Sequence, residues 1–167
     1  MERMRIDLAD LLASGEEFPQ RRVGQEPTVC RLVAVLDGPI GPGCPYPSSV
    51  SDREMYPFRP AELDELGSPV AARLALDTKG AAPFGRGDLV LLDRTEAVRR
   101  DPDEESYYAL DLNGGSDIRL VRRAGRRLYV ADPRSGDDPR RWHSLSLADR
   151  DLLDVIQGRV SLVIRRL

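Results

Sequence analysis

Apolar residues at Met4, Ile6, Leu8, Leu11 and Leu12 carry helical spacing, with Gly15 following as a stop signal, so the chain is expected to open with one short amphipathic helix over residues 4–13. Residues 16–27 hold Pro19, Gly24 and Pro27 among charges and read as a linker. Residues 29–36 are rich in β-branched and aliphatic side chains and predict a first strand. The stretch from Gly38 to Pro47 contains Gly38, Pro39, Gly41, Pro42, Gly43, Pro45 and Pro47, so it must be a loop: proline has no amide to donate and glycine resists ordering. Residues 60–67 begin with proline, carry early acidic residues and end in glycine, the signature of a two-turn helix.

Beyond that helix the pattern turns to short apolar or alternating runs, at 70–76, 89–93, 107–112, 118–123, 127–131 and 159–164. They are separated by turn chemistry such as Gly85-Arg86-Gly87-Asp88, Asn113-Gly114-Gly115 and Ala124-Gly125. Consecutive hairpins with few helices between them predict a mainly-β fold: a bent antiparallel sheet or partial barrel with one or two short helices. The expected division is residues 1–27 as helix and linker and residues 28–167 as the folded domain.

A chain of 167 residues that is 41% hydrophobic can bury one substantial core. Its net charge of -3 gives no overall cationic field to hold nucleic acid. No run approaches the roughly 18 apolar residues of a membrane helix, and no basic segment leads into a long apolar one, so a cytoplasmic location without membrane contact is expected. Cys30 and Cys44 lie far from any Cys-x-x-Cys spacing. The single histidine, His143, has no cysteine or second histidine to complete a metal site, and no cofactor is expected. Lys79 is the only lysine, which makes arginine the other cationic residue throughout.

The segment Gly87-Asp88-Leu89-Val90-Leu91-Leu92-Asp93-Arg94 resembles the strand after the catalytic serine in the LexA-type self-cleaving serine peptidases, the superfamily that also holds type I signal peptidases. Three further stretches follow in the family's order. Tyr56-Pro57-Phe58 through Leu74-Ala75-Leu76 resembles the region between cleavage loop and active site. Ile118-Arg119-Leu120-Val121-Arg122-Arg123 with Arg127-Leu128-Tyr129-Val130 resembles the hairpin that carries the general-base lysine. Ile156-Gln157-Gly158-Arg159-Val160 resembles the closing strand. The resemblance spans residues 28–167 and implies the family's bent sheet.

It also implies that the chemistry is gone. By the family's spacing, counting back from Gly87 puts Lys79 where the nucleophilic serine stands, and matching Pro83 to the motif proline puts Gly80 there. Arg119 stands where the family has its base lysine. A general base must shed its proton near neutral pH, and a guanidinium does not. The family's scissile Ala-Gly would fall in residues 33–38, Val33-Ala34-Val35-Leu36-Asp37-Gly38, where no such dipeptide occurs. The alternative is a residual serine or threonine autopeptidase in which Thr78 attacks with Lys79 as base, cutting near residues 34–38.

Two cations at the old dyad positions would repel by about 4 kcal/mol at about 4 Å and an effective dielectric of about 20. Either Lys79 and Arg119 splay apart or pair with carboxylates such as Asp77 or Asp117, or the cleft has become a pocket for an anion. The arginines at 122, 123, 126 and 127 and at 134, 140 and 141 raise a third alternative, a DNA-binding regulator. Few aromatics interleave with them, and Asp132, Asp137 and Asp138 sit in the second group, so a solvated surface is expected and direct nucleic-acid binding is not.

The 27 residues ahead of the first strand are too few for a three-helix DNA reader, so a helix-turn-helix partner would be another polypeptide. The final run places Val160, Leu162 and Ile164 on one face of a strand that ends the chain. The resemblance implies dimerisation through it; the alternative is an edge strand capped by Arg165 and Arg166. The expectation is a catalytically inactive, self-associating regulatory or interaction module of the bacterial cytoplasm.

Overall fold

The structure is a computed structural model that describes residues 29–75, 84–131, 141–147 and 150–165. The helix expected over 4–13 and its linker lie outside these residues. The described chain is mainly β: β1 (Arg31–Leu36), β2 (Val50–Phe58), β3 (Pro69–Arg73), β4 (Leu89–Asp93), β5 (Tyr107–Leu112), β6 (Gly115–Ala124), β7 (Arg127–Ala131), β8 (Trp142–Leu145) and β9 (Ile156–Ile164). Three short helices interrupt them, α1 (Pro60–Leu63), α2 (Glu96–Arg100) and α3 (Leu152–Val155), of which only the first falls where a helix was expected.

All nine strands join one sheet in the order β2-β1-β3-β4-β9-β5-β6-β7-β8, which does not close into a barrel. Its pairings are antiparallel except β1 with β3, which run parallel at Val35↔Ala71; an isolated parallel bridge, Ile40↔Leu74, follows in the same direction. The sheet is therefore mixed, where the hairpin-rich sequence pointed to a wholly antiparallel one. Long connections, which local turn signals do not report, bring β1 beside β3 and β9 between β4 and β5.

The five residues of β4, Leu-Val-Leu-Leu-Asp, are all buried, as expected of a strand covered on both faces. Val90 and Leu92 join Leu36, Ile40, Leu74, Phe84, Ala109 and Ile118 in one apolar cluster. Leu89 and Leu91 join Val33, Val35, Phe58 and Leu63 in a second. A third, around Tyr108, Leu110, Val121, Leu128 and Ile156, lies under the β5–β7 hairpins. Each fully buried leucine or isoleucine here contributes roughly 1.5–3 kcal/mol. The Asn113-Gly114 turn joins β5 to β6 with Gly114 at φ 98°, the left-handed backbone that such a tight hairpin requires.

Edge strands account for most of what the sequence pattern missed. β2 reads Val-Ser-Asp-Arg-Glu-Met-Tyr-Pro-Phe, charged and proline-bearing, and among the described residues has a neighbour on one side only. β8 ends the sheet on the opposite side. The helix expected over 60–67 is a single turn with Pro60 at its first position, where Arg59 N donates to Glu62 Oε2 at 2.8 Å. Asp151 caps α3 by accepting from Leu153 N at 2.9 Å.

The last strand departs from its expected form. It lies inside the sheet, paired with β4 at 159–160 and 162–164 and with β5 through Ile156, Gly158 and Arg159. A register shift opposite Leu91 and Leu92 leaves Ser161 as an extra residue, a β-bulge. Val160 and Val163 consequently pack on the first cluster while Leu162 and Ile164 pack on the second. Val160 thus does not share a face with Leu162 and Ile164, contrary to simple alternation.

Candidate functional site

Strand β6 presents two different faces. Ser116 and Ile118 point toward the first cluster, and the buried Ser116 hydroxyl accepts from Gly41 N at 3.1 Å and donates to Cys44 O at 2.8 Å. This pins the Gly/Pro-rich loop over the start of β6. A Cβ at Gly41 would come 2.8 Å from the carbonyl carbon of Ala75, so only glycine permits that approach. The chain reaches Ala75 beside this loop, with Ala75 N donating to Ile40 O at 2.8 Å. It resumes at Phe84, close to where Leu74 N donates to Asp88 O at 2.9 Å. Lys79 and Thr78 lie between those points, outside the described residues, so of the expected pair only Arg119 is placed.

Asp117 and Arg119 project from the other face of β6, two residues apart and therefore side by side. Arg119 Nε donates to Asp117 Oδ2 at 2.7 Å, its Nη2 lies 2.5 Å from the same oxygen, and its Nη1 donates to Ala131 O at 3.1 Å. Asp117 Oδ1 accepts from Ile118 N at 2.8 Å. The Asp117 side chain is 10% exposed and that of Arg119 21%. All three guanidinium nitrogens are engaged, and an anion approaching Arg119 meets a carboxylate first. Arg119 also stands on the face of β6 opposite Ile118, whose cluster includes Phe84 and Leu74.

A second constellation, absent from the sequence reading, surrounds Arg159 where β4, β9 and β5 meet. Register puts Arg159 opposite Asp93 on one side and opposite Tyr108 on the other. Its Nη2 lies 3.9 Å from Asp93 Oδ2 and its Nη1 3.9 Å from Asp103 Oδ2. Asp93 is further held by Thr95, whose backbone N and hydroxyl donate to Oδ1 at 3.0 and 2.6 Å. The Tyr108 hydroxyl donates to Asp103 Oδ2 at 3.2 Å and accepts from Asp103 N at 3.0 Å. Burial pushes the Tyr108 phenol up to about 12. Burial acts upward on Asp103 too, but hydrogen bonds from Ser106 and Tyr108 outweigh it and hold that carboxyl below its usual value.

Arg159 opens onto a groove of about 580 Å³ between β9 and the turn after α1. One wall carries Glu62, Asp64, Glu65 and Leu66; the other is Arg159 to Leu162, with Ser106 at one end. β5 pairs with β9 no further than Arg159, so the β9 edge from Val160 to Ile164 is paired on the β4 side alone among the described residues. The residues 61–66 and 159–162 are far apart in sequence, and no local pattern could have announced their meeting.

Two arginines of the first basic group contact other parts of the fold. Arg122 pairs with Glu104 at 3.6 Å, and Arg123 donates to Arg100 O at 2.7 Å and Gly125 O at 3.3 Å. Arg126 and Arg127 are exposed at the hairpin turn; Arg134 and Arg140 lie outside the described residues. Among the described residues no group of three histidine, cysteine or acidic side chains could hold a metal ion, and no helix is long and apolar enough to cross a membrane. Cys30 and Cys44 are free thiols, each half-buried. Compared with known proteins, the chain matches no family model and no curated sequence.

Proposed function

We propose that this chain is a catalytically inactive LexA-like peptidase-fold domain that works as a self-associating regulatory or protein-interaction module, with a homodimer as its assembly. The observation that carries the reading is the Arg119 clamp. Arg119, which the resemblance sets at the position of the family's base, is a guanidinium closed on Asp117 and Ala131 O; it can neither accept a proton nor turn toward a substrate without breaking a largely buried ion pair.

The rival reading, self-cleavage near residues 34–38, is disfavoured by pairing. Ala34 and Leu36 are matched with Met55 and Val50 of β2, and Val35 with Ala71 of β3. A peptidase acts on an extended strand that it can draw into its own site, and this strand is held between two neighbours.

Self-association is supported by the open stretch of β9: antiparallel pairing of two copies centred on Leu162 would continue the sheet across a two-fold axis. A helix-turn-helix protein or another regulator would be a further partner of such a dimer.

Sedimentation velocity over a range of concentrations tests this reading. The wild type is expected to dimerise, and Ser161→Glu, at an exposed position that brings two like charges together across the two-fold axis, is expected to weaken the dimer by at least tenfold. A chain that stays monomeric at all concentrations, or a dimer indifferent to Ser161→Glu, contradicts the proposed interface.

A further inference from the structure

The large hydrophobic side chains exposed among the described residues are Val29, Leu32, Val50 and Met55, at 72%, 38%, 43% and 46%. All belong to the β1–β2 ribbon or to the residues leading into it. Elsewhere the sheet hides its apolar side chains well. The register explains the arrangement: Val33 and Val35 turn to the second cluster together with Phe58, whereas Leu32↔Pro57, Ala34↔Met55 and Leu36↔Val50 share the opposite face. Leu36 at one end of this stripe is buried in the first cluster. The stripe is thus a continuation of the core that runs out from beneath its cover, over a strand about 20 Å long.

The chain outside the described residues ends at this place. Val29, the first residue described, stands three positions before Leu32. Upstream lies a segment with apolar residues at Met4, Leu8, Leu11 and Leu12, the i, i+4, i+7, i+8 spacing of one apolar stripe, with Arg5, Asp7 and Asp10 between them and Ile6 off the stripe. A helix of about ten residues is about 15 Å long and marginal alone in water, so it requires a surface to lie on. The intervening residues 14–28 can span roughly 50 Å when extended, so the tether permits the approach and holds the segment at an effective concentration on the order of millimolar.

We propose that residues 4–13 form an amphipathic helix that docks, within the same chain, on the outer face of the β1–β2 ribbon and covers Leu32, Val50 and Met55. This goes beyond the proposed function, since it uses neither the Arg119 position nor the β9 edge, and it assigns an intramolecular role to the N-terminal segment.

Photo-crosslinking of the full chain tests it, with a benzophenone amino acid at position 11 and peptide mapping of the monomeric and dimeric products. The expected result is a crosslink within one chain to residues 29–36 or 50–58. Crosslinks elsewhere, none at all, or crosslinks to the ribbon in covalent dimers alone would overturn the proposal, the last by making a second copy the occupant. Hydrogen exchange gives an independent reading. In the full chain carrying Leu8→Asp and Leu11→Asp, amides of residues 31–36 and 50–58 should exchange at least tenfold faster than in the wild type, while those of β4 keep their rates. Unchanged exchange in the ribbon would contradict the docking.

Discussion

Arg119 and Arg159 are both strand-borne arginines beside aspartates, yet the fold uses them in opposite ways. Arg119 sits 2.5–2.7 Å from a single carboxylate oxygen and donates its remaining nitrogen to a backbone carbonyl. Arg159 stands 3.9 Å from each of two carboxylates, is a third exposed and lines a groove. One ion pair is closed and belongs to the fold's internal structure; the other holds its cation in place while leaving it accessible. The difference teaches that a strand arginine beside an aspartate can be locked into the fold, as Arg119 is, or left accessible on the surface, as Arg159 is.

The sharpest break of this comparison is Asp117→Ala. It leaves the Arg119 cation in a largely buried position without its carboxylate and should cost on the order of 3 kcal/mol in urea unfolding. Adding Arg119→Met should recover much of that loss, because an apolar side chain tolerates the site. If Asp117→Ala is nearly neutral, Arg119 is not clamped as described.

Next comes pH. Because the Tyr108 phenol is raised from 10.0 to about 12, its contribution is complete below pH 10 and is lost as pH climbs from there toward 12, where the unfolded chain already ionises. Wild-type stability should fall across that window more steeply than that of Tyr108→Phe. Parallel slopes in the two proteins would show that Tyr108 is not the group responsible.

The smallest effect is expected at Arg159. Its two long, partly exposed contacts predict that Arg159→Ala costs less than about 1 kcal/mol of stability. A loss as large as that of Asp117→Ala would erase the distinction between the two arginines.

Much of the sheet was legible because its central strands state their burial locally. Leu89-Val90-Leu91-Leu92 is an unbroken apolar run bounded by turn residues, which reads as a strand, and Asn113-Gly114 announced the β5–β6 hairpin. β2 was hidden because an edge strand tolerates Asp52, Arg53, Glu54 and Pro57, and the bulge at Ser161 was hidden because it arises from pairing with β4, not from its own sequence. Of the candidate site, the Asp117–Arg119 pair could be anticipated from its spacing, since residues two apart share a face of a strand. The Arg159 cluster could not, because Asp93, Asp103, Tyr108 and Arg159 come together only through the placement of β9 between β4 and β5.

The proposed inactivity rests on Arg119: a guanidinium at the position that resembles the family's base does not take up a proton to drive cleavage of the backbone. Intact mass measurement of the purified chain after prolonged incubation at alkaline pH, where the Lys79 amine of the rival reading would be best able to accept a proton, checks this without an assumed partner. A single species at 18.6 kDa is the predicted result; a time-dependent pair of fragments dividing the chain between residues 34 and 38 would contradict it.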